Sequence, residues 1–223
     1  MLNPSFAEDC HRFQKLLSYM ATPMEKIKGY HQQVDEPDIT GTYTARDYVS
    51  WKLAEYVELI GGKIFKMSPA PARRHQDVAV QLTRILADHF RHGCHVYASP
   101  FDVYLVHPGE DWRDAKNIVE PDLCVICDKN KLHDHGCVGA PDLVIEILSP
   151  GTAAKDLGPK RDLYQEYGVH EYWVVHPRDQ TVVIHTLENG KYRLLPILAA
   201  GNRIQSVTFP ALSFDLSEVF PQD

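Results

Sequence analysis

The sequence predicts an α/β domain with a mixed sheet. Apolar runs of strand length alternate with stretches whose apolar residues recur at helical intervals, which is the pattern of α/β proteins. Two hairpin signals, Gly61-Gly62 and Asn189-Gly190, each lie between two apolar runs. The length of 223 residues suits one large domain, or one domain with an appendage.

The first 42 residues predict a helical extension followed by a linker. Ser5 and Glu8 have the spacing of a capping box, and the polar segment 31–41 is typical of a linker. This helix either packs on its own domain or forms a dimer contact, so a homodimer is one expected assembly. Its apolar face is formed by Phe6, Cys10, Phe13, Leu17 and Met20.

From Tyr43 the elements follow in a regular order. Thr44 with Asp47 predicts the cap of a short helix through Leu53, and an apolar stripe predicts a helix from His75 to about Arg91. Residues 95–106 are either a strand pair or one bent strand, and 129–140 is a loop. The remaining elements are strands over 120–127, 142–148 and 172–176, a helix over 156–167, and a hairpin around Asn189-Gly190.

Charge and cysteine content limit the function classes and the setting. Lys and Arg total 23 against 30 for Asp and Glu, and the formal net charge of −7 disfavours coating of nucleic acid by bulk charge. It is compatible with acidic residues gathered around a cation. Five cysteines, an odd number, predict a reduced, cytoplasmic setting. A signal-peptide pattern and a run of membrane-spanning length are both missing, so no membrane partner is expected.

One apolar run carries an unexpected charge. In PDLVIEILSP, residues 141–150, Glu146 interrupts a strand in which an unpaired carboxylate would cost several kcal/mol. Asp122 opens the preceding strand, and if the two strands are neighbours the carboxylates repel unless one is protonated or a cation lies between them. Mg²⁺ or Mn²⁺ would suit such oxygen ligands. The alternative is a buried ion pair between Glu146 and an Arg or Lys.

The following helix supplies a basic candidate. Lys160 lies in DLGPKRDLY, and Tyr164 follows one turn later on the same helix face. A lysine near a metal-bound water can orient and deprotonate that water and can stabilise charge on a phosphate. The alternative is a solvated lysine on a helix surface.

Three segments together resemble a known family. They are YVELIGGKIFKMSPAPARRHQ, then VEPDLCVI, then APDLVIEILSPGTAAKDLGPKRDLYQEYGVHEYWVVHP. Residues from about Tyr43 to Phe220 are similar to the Uma-type family of restriction endonuclease-like proteins, a branch of the PD-(D/E)XK nuclease superfamily. The resemblance implies a PD-(D/E)XK nuclease-like domain over residues 43–223, with a mixed central sheet flanked by helices and a C-terminal β-hairpin.

The resemblance also implies a metal-dependent endonuclease that hydrolyses nucleic-acid phosphodiester bonds, with DNA as the expected substrate and Mg²⁺ or Mn²⁺ as cofactor. Asp122 fills the PD position and Glu146 the (D/E) position. The lysine expected two residues later is replaced by Leu148, and Lys160 stands where a lysine from the following helix is expected. Glu58 matches an acidic position and is a further candidate metal ligand, with an edge salt bridge as its alternative.

Accessory residues follow from the same segments. His75 either touches the site or caps its helix, Tyr164 accompanies Lys160, and Asp102 is expected to be structural. The basic residues near these motifs are candidate contacts for a phosphate backbone: Arg73, Arg74, Lys155 and Arg161. The alternative to an active enzyme is a catalytically silent nuclease-fold protein that binds nucleic acid or a protein partner.

A zinc site is a competing interpretation of the loop LHDHGC. His133, His135 and Cys137, with Cys124 and Cys127 nearby, are zinc-type ligands. Cys124 and Cys127 are three residues apart on a predicted strand, so their side chains point to opposite faces and do not form a chelating pair. A plain polar loop is therefore favoured.

Overall fold

The structure is a computed structural model that describes residues 37–51, 53, 56–67, 72–149 and 156–220. The predicted helix near the N-terminus lies outside the described residues, and the domain boundary at residue 43 stays a prediction. Lys155 also lies outside them.

Short strands dominate the part of the chain that is described. The helices are α1 (Ala45–Tyr48), α2 (Arg73–His89) and α3 (Arg161–Tyr167), the last preceded by a π-helical turn at Asp156–Lys160. The strands are β1 (Val57–Ile60), β2 (Lys63–Lys66), β3 (His95–Ala98), β4 (Val103–Tyr104), β5 (Ile118–Val119), β6 (Leu123–Ile126), β7 (Leu132–His133), β8 (Gly136–Val138), β9 (Leu143–Ile147), β10 (Glu171–His176), β11 (Thr181–Glu188), β12 (Lys191–Leu194), β13 (Leu198–Ala199), β14 (Arg203–Gln205) and β15 (Ser213–Asp215).

These strands form two mixed sheets and a small third one. The first sheet has the order β2-β1-β5-β4-β8-β7, and the second has the order β12-β11-β10-β9-β6-β3 with β13 beside β11. The pairs β4–β8 and β9–β10 are parallel, and the other pairs in these two sheets are antiparallel. Strands β14 and β15 pair with each other. The predicted α/β class with mixed strand pairing is confirmed.

The predicted turns are confirmed by their backbone angles. Gly61 and Gly62 join β1 to β2 with φ of +59° and +75°, and Asn189 and Gly190 join β11 to β12 with φ of +51° and +75°. A two-residue hairpin of this kind requires positive φ at both central positions, which glycine and asparagine tolerate best.

Two sequence-based expectations about strands differ from the structure. The segment 129–140, predicted as a loop, contains the antiparallel pair β7–β8. The segment 95–106 forms two strands, β3 and β4, that lie in different sheets and do not pair with each other. Both differences depend on partners distant in the chain, since β3 pairs with β6 and β8 pairs with β4.

The second sheet is covered on both faces. Helix α2 and the C-terminal segment pack on the face that carries Leu123, Ile145 and Trp173. Helix α3 contributes Tyr164 to the opposite face, together with the residues Cys124, Val144, Tyr172 and Val174. Because side chains alternate along β9, Glu146 shares the face of Val144 and points toward α3.

One buried carboxylate serves the fold on the α2 face. Glu171 is fully buried, and its Oε1 accepts a hydrogen bond from Trp173 Nε1 at 2.7 Å. Its Oε2 accepts from Ser206 Oγ at 2.7 Å and from the backbone N–H groups of Val207 at 3.1 Å and Thr208 at 2.8 Å. These bonds connect the C-terminal segment to β10.

The cysteines differ from the predicted reduced state. Cys94 and Cys127 form a disulfide across a sequence separation of 33, because the antiparallel pairing of β3 with β6 brings the two residues opposite each other. Cys124 and Cys137 are free and buried. Within the described residues, no helix is long and apolar enough to cross a membrane.

We expect Glu171→Gln to lower the free energy of unfolding by about 2 kcal/mol or more, because the new amide group faces donors where a carboxylate oxygen accepted hydrogen bonds. Urea melts followed by tryptophan fluorescence measure this change. The matched control is Glu188→Gln on the surface, where loss of the pair with Arg193 should cost less than about 1 kcal/mol. Equal stabilities of the two variants would contradict this role for Glu171.

Candidate active site

The two predicted acids lie opposite each other on neighbouring strands. Strand β6 pairs antiparallel with β9, with Leu123 opposite Ile145, so the next position in this register places Asp122 opposite Glu146. The backbone N–H of Ile147 donates to Asp122 Oδ2 at 2.7 Å. The expected proximity of the two strands is therefore present in the structure.

The buried carboxylate of Glu146 accepts hydrogen bonds from two donors on the segment that follows β9. Lys160 Nζ lies 2.7 Å from Glu146 Oε1, and the hydroxyl of Tyr164 donates to the same oxygen at 2.7 Å. The side chains of Glu146 and Lys160 are only 4% and 3% exposed. Of the two explanations open from the sequence, the buried ion pair is present, and Lys160 is not a solvated helix lysine.

Lys160 also binds a carboxylate from the other sheet. Its Nζ lies 2.7 Å from Oε1 of Glu58, which is fully buried. Glu58 lies in β1, and β1 is enclosed between β2 and β5, so this is not the edge salt bridge weighed for Glu58. Glu58 Oε1 additionally accepts from the backbone N–H of Glu120 at 3.0 Å.

Tyr164 is a hydrogen-bond donor under ordinary conditions. Burial, with the nearby charge of Glu146, raises the pKa of Tyr164 well above its usual value. The hydroxyl therefore keeps its proton and holds Glu146 Oε1 together with the Lys160 ammonium.

Asp122 is the accessible acid of the group. Its side chain is 23% exposed, against 0% for Glu58 and 4% for Glu146. His75 Nε2 lies 3.3 Å from Asp122 Oδ1. The N-cap position of helix α2 is Ala72, so His75, in the first turn, is not the helix cap. Of the two roles expected for His75, contact with the site is the one present.

The basic candidates are distributed around this group. Arg73 and Arg74 are exposed at the start of α2, the helix that carries His75, and Arg73 pairs with Asp77 at 3.0 Å. Arg161 follows Lys160 and pairs with Asp162 at 2.6 Å. Contact of these residues with nucleic acid stays a prediction.

Glu120 is a buried acid that the sequence analysis did not single out. It lies between β5 in one sheet and β6 in the other and is 4% exposed. Its charge contributes to the raised pKa of Tyr48 and of Tyr104, for which burial is the main cause. A signal existed, because Glu120 stands in the apolar run NIVEPDLCVI much as Glu146 does in its own run.

Asp102 has the structural role that was expected. Its two carboxylate oxygens accept hydrogen bonds from the hydroxyls of Tyr48 at 3.0 Å and Tyr104 at 3.1 Å. Burial raises the pKa of Asp102, and the two hydrogen bonds oppose that change. Asp102 therefore links α1 to β4.

The donor chemistry of the site fits a hard divalent cation, since carboxylate oxygens are the ligands that Mg²⁺ and Mn²⁺ prefer. The arrangement itself is organised around the Lys160 ammonium, which binds Glu58 and Glu146. Among the described residues, no group of three or more His, Cys, Asp or Glu side chains is positioned to hold a metal ion. Metal binding therefore stays a prediction for Asp122, Glu146 and Glu58.

The zinc-type residues have other contacts. Cys127 is bonded to Cys94 and is not available as a thiolate ligand. His135 lies against Trp112, with ring centroids 5.0 Å apart, and His133 stacks with His135 at 6.4 Å. These residues belong to the hairpin β7–β8 and to its aromatic neighbours.

The architecture is that of a nuclease-like fold. The same fold is found in the crystal structure of a "putative nuclease belonging to DUF820" from Anabaena variabilis, with a TM-score of 0.61 and 18% sequence identity. The match covers 79% of this chain and 97% of the other.

Residues 46–217 match the family described as "Putative restriction endonuclease" (Uma2), and the chain belongs to this family. The resemblance deduced from the sequence segments is thereby confirmed. The chain is also 29% identical over 121 residues to the "Uncharacterized protein slr1290" of Synechocystis sp.. This alignment covers 53% of the chain and 60% of the relative's length.

We expect Lys160→Met to lower the free energy of unfolding by about 3–5 kcal/mol, because two buried carboxylates lose their counter-charge. Tyr164→Phe should cost about 1.5–3 kcal/mol for one hydrogen bond to a charged group. Denaturant melts in EDTA measure both changes, with the exposed Lys191→Met as the matched control. A Lys160→Met variant as stable as the control would contradict the ion-pair role.

A second expectation concerns pH. His185 on β11 stacks on Tyr172, with centroids 5.7 Å apart, and burial, with the charge of Arg161, lowers its pKa below 6.5. Above pH 6.5 His185 is neutral in both states; below it the unfolded chain binds the proton first. The contribution of neutral His185 to the free energy of unfolding is therefore fully present above pH 6.5 and is lost as the pH falls toward the pKa of His185 in the folded protein.

His185→Phe keeps an aromatic ring and removes this titration. Thermal melts of parent and variant between about pH 7.5 and 5 should show a smaller acid loss for the variant. Parallel curves would contradict the assignment to His185.

Proposed function

We propose that the protein is a metal-dependent endonuclease that hydrolyses phosphodiester bonds of nucleic acid, with DNA as the expected substrate. The observation that carries the proposal is the register that puts Asp122 opposite Glu146, with Lys160 bonded to Glu146 at 2.7 Å. Membership of the restriction endonuclease-like family supports the same reaction class.

Asp122 and Glu146, with Glu58 as a further ligand, are the proposed holders of Mg²⁺ or Mn²⁺. Such a cation supplies Lewis-acid stabilisation of the phosphate charge and lowers the pKa of a bound water. The chain's own contribution is to bring Glu58 of the first sheet and Glu146 of the second within 2.7 Å of one ammonium, that of Lys160. Asp122 is the most exposed of the three carboxylates, so the scissile phosphate approaches from its side.

Lys160 and Tyr164 position Glu146, and Lys160 also supplies a positive charge. Both donate to Glu146 Oε1, so the carboxylate has one fixed orientation. The Lys160 ammonium stabilises negative charge that develops on the phosphate and orients the attacking water. His75 Nε2 lies 3.3 Å from Asp122 Oδ1 and positions this acid. Arg73 and Arg74 stand at the same helix end and offer cations to neighbouring phosphates.

A second candidate is a silent nuclease-fold protein that binds nucleic acid or a protein partner. It is favoured by the two carboxylates that already hold Lys160 and by the net charge of −7. A homodimer and a cytoplasmic setting are predictions common to both proposals, although the Cys94–Cys127 disulfide does not agree with the reduced cysteines from which the cytoplasmic setting was expected.

The decisive measurement is cleavage of plasmid DNA, single-stranded DNA and RNA with Mg²⁺, with Mn²⁺ or with EDTA. We expect cleavage only with a divalent cation, and a loss of roughly 100-fold or more for Asp122→Asn and Glu146→Gln. Glu188→Gln, an exposed acid paired with Arg193, is the matched control.

Calorimetric titration with Mn²⁺ separates loss of metal binding from loss of chemistry, and melts show which variants are folded. Parent protein that is folded and binds nucleic acid, and yet cuts none of the three substrates with either cation, would establish the silent alternative.

A further inference from the structure

Three aromatic rings form a row along the edge strand β3. The rings of Tyr97 and Phe101 are stacked face to face, with centroids 4.1 Å apart and planes 6° from parallel. The ring centroid of His95 lies 6.4 Å from that of Tyr97, with the two planes 25° from parallel. All three side chains are partly exposed, and residues 98–100 between them are exposed.

This row lies on the sheet face that carries Glu146. Tyr97 is directly opposite Cys124 in β6, and Cys124 is opposite Val144 in β9. Residues directly opposite each other share a face, and Glu146 follows Val144 by two positions on that same face.

The row also begins beside the exposed acid of the site. The backbone N–H of Ser99, two residues after Tyr97, donates to the carbonyl oxygen of Asp122 at 3.0 Å. Strand β3 pairs with β6 alone among the described strands, so its outer side is the edge of the sheet. A chain that enters the site at Asp122 would therefore pass the aromatic row.

The spacing of His95 and Tyr97 suits one planar base. Stacked bases repeat at about 3.4 Å, so two rings that enclose a base lie about 6.8 Å apart. The 6.4 Å between the centroids of His95 and Tyr97, whose planes are inclined by 25°, is close to this value. A nucleobase between the rings would contact a π-face on each side, which is how unpaired bases bind aromatic side chains on sheets.

A cavity lined by basic side chains lies at the far end of the row. His95 lines a cavity of about 470 Å³, to which Arg91, His92 and Lys129 also contribute. Lys129 and Arg91, the latter paired with Asp88 at 2.7 Å, lie at one end of the row, and the acidic site lies at the other. This arrangement suits the backbone of a strand that runs along β3, because its phosphates need cations wherever no metal is supplied.

We propose that the row His95–Tyr97–Phe101 binds unpaired bases of the strand that is cut, so that the substrate is single-stranded nucleic acid or a frayed end. The inference rests on the proposed function, because it names the substrate class of the same site. Bases in an intact duplex are stacked on each other and cannot enter between two protein rings.

Fluorescence anisotropy with the full chain in EDTA tests binding independently of cleavage. The probes are single-stranded DNA, single-stranded RNA of the same sequence, and blunt duplex DNA. We expect the parent to bind a single strand more tightly than the duplex, and His95→Leu and Tyr97→Leu to bind it about tenfold more weakly. The two single-stranded probes show whether the sugar matters.

Controls separate stacking from packing. Tyr97→Phe keeps the ring and should bind as the parent does. His107→Leu removes a ring from another stacked pair, His107 with Tyr167 at 4.6 Å, and should leave binding unchanged. A probe with 2-aminopurine should lose fluorescence on binding to the parent and keep more of it on binding to His95→Leu.

Two outcomes would overturn the proposal. One is a parent that binds the duplex as tightly as the single strand, or that binds neither. The other is parent-like binding by folded His95→Leu and Tyr97→Leu. Cleavage of duplex DNA by His95→Leu and Tyr97→Leu at the parent's rate would support the nuclease function and contradict the stacking surface. Binding that depends on the rings, with no cleavage in Mg²⁺ or Mn²⁺, would support the stacking surface and contradict the nuclease function.

Discussion

The ammonium of Lys160 is the contact on which the site depends. It lies 2.7 Å from Glu58 in the first sheet and 2.7 Å from Glu146 in the second, and all three groups are almost completely buried. Each carboxylate alone would carry a large desolvation cost, and the shared ammonium compensates both of them where the two sheets meet. Tyr164 completes the arrangement by donating to the same oxygen of Glu146. The placement of Glu58 and Glu146 at the contact between the sheets therefore depends on Lys160.

The short segment between β5 and β6 makes the site continuous with the sheet edge. The chain leaves one sheet and enters the other here, with Glu120 donating its N–H to Glu58 and Asp122 accepting from Ile147. The carbonyl of Asp122 accepts from Ser99 after the edge strand β3. Backbone hydrogen bonds thus fix the exposed acid between the buried carboxylates and the aromatic row.

A buried carboxylate does not by itself indicate a site. Glu171 and Glu146 both lie in apolar strands of the same sheet and point to opposite faces. N–H and O–H donors satisfy Glu171, which joins the C-terminal segment to β10. Glu146 is satisfied by an ammonium and a phenol, and it lies opposite the exposed Asp122. The groups around each carboxylate, and not its burial, distinguish the structural Glu171 from the candidate site residue Glu146.

The sequence by itself determined the local elements and the unusual acid. Turn residues with positive φ and apolar periodicity act over a few neighbouring residues, so both hairpins and α2 were predictable. Glu146 was recognisable because it is a charged residue within an apolar strand sequence. Only the tertiary structure decided that the long strands divide between two sheets and that Cys94 forms a disulfide with Cys127. It also decided that Lys160 forms ion pairs with both Glu146 and Glu58. These outcomes depend on strand pairings between segments distant in the chain, whose register local patterns do not encode.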